Sequence, residues 1–176
     1  MTIATAIHPP TAIQTSTSDV YLFEFDGGSN YITIGQKIFA SSPNELTGMA
    51  WIYPRNTGII ALWQGWGGQF YIGIGGGGEA VMGVHQTKYN CGNYNGNWHH
   101  FIISQVYPPN NWYHLAGVYD KAANTIKIYV NGVSDGSMDS PLNPNECLSD
   151  APAYHPPTIG AATISGGGYG TTILME

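Results

Sequence analysis

Two segments of the chain place aromatic rings and side-chain amides at close spacing. One is the Gly-rich run 63–69 (WQGWGGQ), and the other is the polar run 89–98 (YNCGNYNGNW). Trp and Tyr rings stack on the apolar faces of sugar rings, whereas amides hydrogen-bond to sugar hydroxyls. The candidate ligand-binding residues are therefore Gln64, Trp66, Gln69, Tyr89, Asn93, Tyr94 and Trp98.

The other chemically reactive residues form no catalytic signature. The sequence lacks a G-x-S-x-G motif, and the neighbours His99 and His100 should point to opposite faces of a strand. Cys91 and Cys147 lie in turn-like surroundings rich in Asn, Gly and Pro. They predict either a disulfide between two long loops or two free thiols, and the lack of a C-x-x-C pair disfavours a metal site.

The composition favours a β protein and disfavours nucleic-acid binding. The 176 residues include 24 Gly and 11 Pro, and only 9% are charged, against about 25% in typical domains. The net charge of −6 and five scattered basic residues provide no footprint for nucleic acid or an anionic membrane. No apolar run could span a bilayer, and residues 1–17 lack the pattern of a secretory signal.

Short strand-like segments separated by turns must position the candidate residues. Segment 125–130 (TIKIYV) alternates aliphatic and outward-facing side chains, and Asn131-Gly132 after it favours a type I′ turn. Trp51 and Trp112 lie on strand-like segments, and we expect both in the core. We predict roughly ten antiparallel strands in two packed sheets, with no helix. Residues 1–19 are expected to form an extended arm, or a disordered terminus, outside a single domain of residues 20–176.

Several ordered segments share a pattern with a known family. They are 25–27 (FDG) followed by 31–34 (YITI), then 47–54 (TGMAWIYP), 112–120 (WYHLAGVYD), 126–132 (IKIYVNG) and 158–160 (TIG). Together they resemble the concanavalin A-like lectin/glucanase superfamily, in particular its LamG-like domains of the laminin G/pentraxin type. The resemblance spans roughly residues 20–175 and implies an all-β jelly-roll sandwich with an opening hairpin around residues 26–29. Such domains are usually extracellular or surface-displayed and bind glycans or proteins.

The last strand departs from the family pattern. After Tyr169-Gly170 the chain reads TTILME and lacks the acidic pair that usually follows. We therefore predict a short last strand with an unpaired edge, because strand edges need a partner or a cover. The arm 1–19, from the same or a neighbouring subunit, is the expected cover.

The resemblance also implies two kinds of site chemistry around the opening turn. Asp26 and the Gly27 carbonyl match the turn that can hold a structural calcium, the only cofactor we expect. Glucanases of this fold carry three acids on one strand. Glu24 and Asp26 begin such a pattern, but no third acid follows, so we predict that the protein is not an enzyme.

Three functional hypotheses follow, in decreasing order of support. The first is a non-catalytic, lectin-like binding or adhesion module that recognises a glycan or protein surface through loop aromatics. The second is a structural assembly subunit, such as a virion-decorating or surface-layer protein, that forms a homo-oligomer or larger assembly through its arm. The third is a glucanase-type hydrolase. We expect no nucleic-acid partner, no membrane span, and a location outside the cell or on a cell or virion surface.

Overall fold

The computed structural model describes residues 5–8, 11–14, 21–26, 31–34, 42–64, 70–87, 96–148, 157–164, 167–170 and 172–175. These residues form strands and turns, and none of them is helical. The strands are β1 (Thr5–His8), β2 (Thr11–Gln14), β3 (Tyr21–Asp26), β4 (Tyr31–Thr33), β5 (Glu45–Pro54), β6 (Ile59–Gln64), β7 (Phe70–Ile74), β8 (Glu79–Thr87), β9 (Gly96–Val106), β10 (Tyr113–Asp120), β11 (Thr125–Val130), β12 (Gly136–Met138), β13 (Cys147–Leu148), β14 (Pro157–Ile159), β15 (Ala161–Ile164), β16 (Gly167–Gly170) and β17 (Thr172–Met175).

The strands form two main antiparallel sheets with a shared apolar core. The larger sheet has the order β1-β4-β14-β6-β7-β8-β9-β12, and β13 adds a ninth strand beside β8. The smaller sheet has the order β11-β10-β5-β17-β3-β2, and β15 pairs with β16 separately. Residues of both sheets form one buried cluster that includes Phe25, Ile52, Ile72, Met82 and Leu115. The predicted all-β antiparallel sandwich is confirmed.

The two sheets approach each other closely at paired glycines of the smaller sheet. Gly117 of β10 lies opposite Gly48 of β5 in the strand register. A Cβ atom on Gly117 would lie 2.5 Å from Cγ2 of Ile72 and 2.8 Å from Sδ of Met82. Large side chains of one sheet therefore fill the space left by small residues of the other, as close packing requires.

Strand β11 and the turn that follows it have the structure that the sequence predicts. Asn131 and Gly132 have φ angles of 51° and 81°, as a type I′ turn demands. The N–H of Val130 donates to the carbonyl of Val133 (2.8 Å), and the N–H of Val133 donates back to Val130 (3.0 Å). In β11, Ile126, Ile128 and Val130 are buried, whereas Lys127 is exposed.

The predicted opening hairpin around residues 26–29 is wrong. Strand β3 pairs with β2 and β17 in the smaller sheet. Strand β4 pairs with β1 and β14 in the larger sheet. The chain therefore passes from one sheet to the other between Asp26 and Tyr31, and a local turn pattern in the sequence cannot distinguish such a crossing from a hairpin.

The predicted unpaired edge at the last strand is also wrong. Strand β17 lies inside the smaller sheet, with β5 on one side and β3 on the other. The N-terminal segment instead supplies two strands, because β1 is the edge of the larger sheet and β2 is the edge of the smaller one. Strands β1 and β2 are therefore part of the two sheets, whereas an arm outside the core was expected. A domain boundary at residue 20 stays a prediction.

Candidate functional site

Four strand ends meet at one end of the larger sheet, which we call the loop end. Strand β6 ends at Gln64 and β7 begins at Phe70, while β8 ends at Thr87 and β9 begins at Gly96. Phe70 lies opposite Val84, three residues before the end of β8, and Thr87 lies opposite Gly96, so all four ends face the same end of the sheet. Strands β6 and β8 are separated only by β7, a distance of about 10 Å at ordinary strand spacing. The two aromatic and amide-rich segments of the sequence therefore connect neighbouring strand ends.

The predicted binding residues fall into two groups. Gln64 lies at the end of β6 and Trp98 lies on β9, opposite His85 of β8. The side chains of Gln64 and Trp98 lie outside the described part of the structure, as do residues Trp66, Gln69, Tyr89, Asn93 and Tyr94. A role for these seven residues stays a prediction, and the structure supplies the positions of the strands that carry them.

Strand β13 adds a fixed element to the loop end. Cys147 and Leu148 pair with Thr87 and Gln86 of β8. Because the other side of β8 is occupied by β9, β13 lies on the β7 side and continues the line of β7 beyond Phe70. Cys147 is disulfide-bonded, and the only other cysteine of the chain, Cys91, lies outside the described residues.

A buried glutamine anchors the segment that leads into β13. Gln86 is 1% exposed; its Oε1 accepts from the N–H of Asn143 (2.8 Å), and its Nε2 donates to the Asn143 carbonyl (3.2 Å). The side chain of Asn143 donates in turn to Oε1 of Glu146 (2.8 Å). Strand β8 continues through this polar sequence to Thr87, and β9 begins at Gly96. Paired polar side chains such as Gln86 allow polar sequence to remain in a buried strand.

A tyrosine, a histidine and an aspartate form a row across the larger sheet beside the loop end. Tyr71 contacts His100 with ring centroids 6.0 Å apart, and a Cβ atom on Gly83 would overlap the Tyr71 ring. Nδ1 of His100 lies 3.2 Å from Oδ2 of Asp139, and the His100 N–H donates to Oδ1 of Asp139 (2.8 Å). No local sequence pattern predicts this row, because its members lie on three strands or their flanks.

The environment shifts the pKa values of two groups in this row. Burial raises the pKa of Tyr71 to about 12, and the negative charge of Asp139 contributes to the increase. Burial also raises the pKa of Asp139, but the N–H and charge of His100 and the hydrogen bonds of Ser140 outweigh that effect and lower it overall. At neutral pH Tyr71 is therefore a neutral phenol and Asp139 is a carboxylate.

A second aromatic group lies on the outer face of the smaller sheet. Trp51 and Trp112 are 45% and 38% exposed, so the expectation that both lie in the core is wrong. Strand β5 alternates between exposed and buried residues, and Ile52 rather than Trp51 faces the core. The ring of Trp51 packs against His114 (centroids 5.2 Å apart), and Trp112 packs against Tyr53 (5.5 Å). We call these four residues the sheet-face cluster.

The predicted calcium site is only partly described. Asp26 ends β3 and its side chain is exposed, whereas Gly27 lies outside the described residues. Within the described part of the chain, no group of three or more His, Cys, Asp or Glu residues could hold a metal ion. Glu24 on the same strand forms an ion pair with Arg55 (2.9 Å). Calcium at Asp26 stays a prediction.

A family model described as the concanavalin A-like lectin/glucanases superfamily matches residues 26–172. The chain belongs to this superfamily. The predicted jelly-roll class is thereby confirmed, and the superfamily's name covers both lectins and glucanases. LamG-like domains are typically extracellular. A comparison with curated proteins gives no match.

Solved structures support the superfamily fold at low sequence identity. The binding domain of botulinum neurotoxin serotype G shares 13% identity and a TM-score of 0.62 over 98% of this chain and 42% of that one. Domain 4 of AbnA, an extracellular arabinanase from Geobacillus stearothermophilus determined with arabinotriose, shares 16% identity and a TM-score of 0.51 over 94% and 74% of the two chains. At these identities the similarity concerns the fold alone. In the described part of the chain, no helix is long and apolar enough to cross a membrane.

Proposed function

We propose that the protein is a non-catalytic glycan-binding module and that the loop end of the larger sheet is its principal binding surface. The observation that carries this proposal is the meeting of four strand ends that are joined by the two aromatic and amide-rich segments. Aromatic rings and amides from two neighbouring segments provide the stacking and hydrogen-bonding groups that a sugar requires. The presence of binding modules in the superfamily is consistent with this function.

The structure beneath the loop end supports a pre-formed site. Gln86 binds the backbone of Asn143 with two hydrogen bonds, and Cys147 is disulfide-bonded one residue beyond the buried Glu146. We propose that Cys91 is the disulfide partner, which would attach the 88–95 segment to β13. A fixed support reduces the ordering entropy that binding would otherwise cost.

The protonation of Tyr71 and the ion pair of Glu24 favour binding over catalysis. A tyrosine with a pKa of about 12 is a poor general base near neutral pH, because catalytic groups work best with pKa values near the operating pH. Glycoside hydrolysis usually requires two carboxyl groups across one bond. Glu24, which begins the acidic pattern of the sequence, is engaged by Arg55.

The proposed location is outside the cell. Cys147 is disulfide-bonded, and disulfides persist in extracellular and other oxidising compartments. LamG-like domains are typically found there. A cell-surface or virion-surface location, with an adhesion role, is the finer form of this proposal.

A glycan array followed by calorimetry tests the proposal. We expect Trp66→Ala and Tyr94→Ala each to weaken binding of the selected glycan about fivefold, since an aromatic contact contributes on the order of 1 kcal/mol. Val106→Ala is the control, because Val106 is an exposed apolar residue (65%) at the far end of β9. An array without signal, with and without added calcium, would refute the proposal. A stable oligomer by light scattering would instead support the assembly-subunit alternative.

A further inference from the structure

The sheet-face cluster presents aromatic rings to solvent at positions that the strand register holds fixed. Trp51 lies directly opposite His114 in the pairing of β5 with β10. Tyr53 follows Trp51 by two residues, so both side chains point away from the core, and Tyr53 packs against Trp112. Met49, which is 60% exposed, extends the same face along β5. The result is two adjacent ring pairs on the solvent side of a regular sheet.

The exposed apolar area is small for a protein interface. Trp51, Trp112 and Met49 together expose roughly 300 Å², given about 200 Å² for a fully exposed large side chain. A stable protein–protein interface buries about 800 Å² on each partner. A patch of a few hundred Å² is also the size at which exposed apolar surface is often functional. The area therefore favours a narrow ligand over a second copy of the chain.

The charges around the cluster favour a neutral ligand. Arg55 lies 5.9 Å from the centre of the Tyr53 ring, and its guanidinium is paired with Glu24 (2.9 Å). Lys127 lies on β11, two strands away from β5. In the strand register it is level with Thr47, which is four residues from Trp51. Among the described residues, no unpaired lysine or arginine adjoins the rings to bind the carboxylates of an acidic sugar. The Arg55–Glu24 pair can exchange hydrogen bonds with hydroxyls at the edge of the cluster.

We propose that the sheet-face cluster is a second ligand site, which binds a neutral pyranose-based glycan chain by stacking on Trp51 and Trp112. The site lies on the smaller sheet, whereas the loop end belongs to the larger one. Exposed aromatic rings offer flat faces to the C–H surfaces of a sugar, and the shallow sheet surface leaves both ends of a long chain free. The inference rests on described side chains and does not depend on the loop-end site.

Affinity electrophoresis in gels that contain a soluble polysaccharide tests this site. The neutral probes are barley β-glucan, xyloglucan and galactomannan, and alginate is the acidic probe. We expect at least one neutral probe and not alginate to retard the protein, and Trp51→Ala or Trp112→Ala to raise the dissociation constant of that probe about fivefold. Trp51→Phe retains a ring and should recover most of the binding. Val106→Ala, on the other sheet, should behave as the unmodified protein does.

The outcomes separate this site from the loop end. Retardation that is weakened by Trp51→Ala and unchanged by Trp66→Ala supports the sheet-face site even if the loop-end proposal fails. The proposal is overturned if no neutral probe retards the protein, or if Trp51→Ala and Val106→Ala give the same retardation while circular dichroism shows both to be folded. It is also overturned if light scattering shows a dimer that Trp51→Ala converts to monomer.

Discussion

Replacement of Gln86 by methionine tests whether the segment before β13 is anchored as the structure indicates. Methionine has nearly the length of glutamine but cannot form the two hydrogen bonds to the Asn143 backbone. Gln86 is 1% exposed, whereas Asn143 is half-buried. In the variant, water can therefore hydrogen-bond to the Asn143 backbone in part. The expected loss of stability comes mainly from the two missing hydrogen bonds.

The expected cost follows from the geometry. A hydrogen bond contributes about 1 kcal/mol net, and a buried group that is left without a partner costs a further 1–3 kcal/mol or so. Burial of the methionine side chain offsets part of this loss. We expect Gln86→Met to lower the free energy of unfolding by about 2 kcal/mol, which corresponds to a decrease in Tm of roughly 4–8 °C for a domain of this size.

Gln105→Met is the matched control. Nε2 of Gln105 donates to Oδ2 of Asp135 (3.1 Å), but this bond is exposed, so its loss should cost less than about 0.5 kcal/mol. Urea unfolding measures both variants, and hydrogen exchange at the Asn143 amide should accelerate only in Gln86→Met. Equal unfolding midpoints for the two variants, with unchanged exchange at Asn143, would show that the anchor is not formed.

Three further predictions concern the core, the tyrosine and the disulfide. Gly117→Ala should cost about 1–3 kcal/mol in urea unfolding because its Cβ would enter occupied space, whereas Gly76→Ala, whose Cβ would have no neighbour within 4 Å, should change stability by less than about 1 kcal/mol. NMR titration of labelled tyrosines should give Tyr71 a pKa of about 12. Because its folded pKa exceeds the unfolded value of about 10, its contribution to stability should be complete below pH 10 and lost as the pH rises towards 12; a midpoint near 10 would contradict its burial. Alkylation of the unreduced, denatured protein should label neither Cys91 nor Cys147, and reduction should cost about 4 kcal/mol; a labelled thiol would exclude the bond.

Local patterns in the sequence were sufficient for strands with one buried and one exposed face. Strand β11 begins and ends as predicted at Thr125–Val130, and Asn131-Gly132 forms the predicted turn. The segment 47–54 of the family pattern lies within strand β5 (Glu45–Pro54). Alternation works here because a side chain on the wrong face would lose its burial, so the register is strongly specified.

Local patterns could not reveal which strands share a sheet. The Asp-Gly sequence at residues 26–27 indicated a hairpin, yet β3 and β4 lie in different sheets. The short segment 172–175 looked like an exposed edge, yet it lies between β5 and β3. Pairing between segments that are distant in sequence decides both cases, and the Tyr71, His100 and Asp139 row of the candidate site depends on such pairing in the same way.

The burial of Trp51 was predicted wrongly from its size, whereas the alternation of exposed and buried residues along β5 places it on the outer face. In β5, Leu46, Ala50 and Ile52 have the parity of the core, so Trp51 has the parity of the outer face. Its hydrophobicity alone favoured full burial, but on the outer face Trp51 remains 45% exposed. The sheet-face proposal assigns this ring, which packs beside His114 on the outer face, to contact with a ligand. Trp51→Ala tests that assignment, because it should lower polysaccharide binding while the protein remains folded.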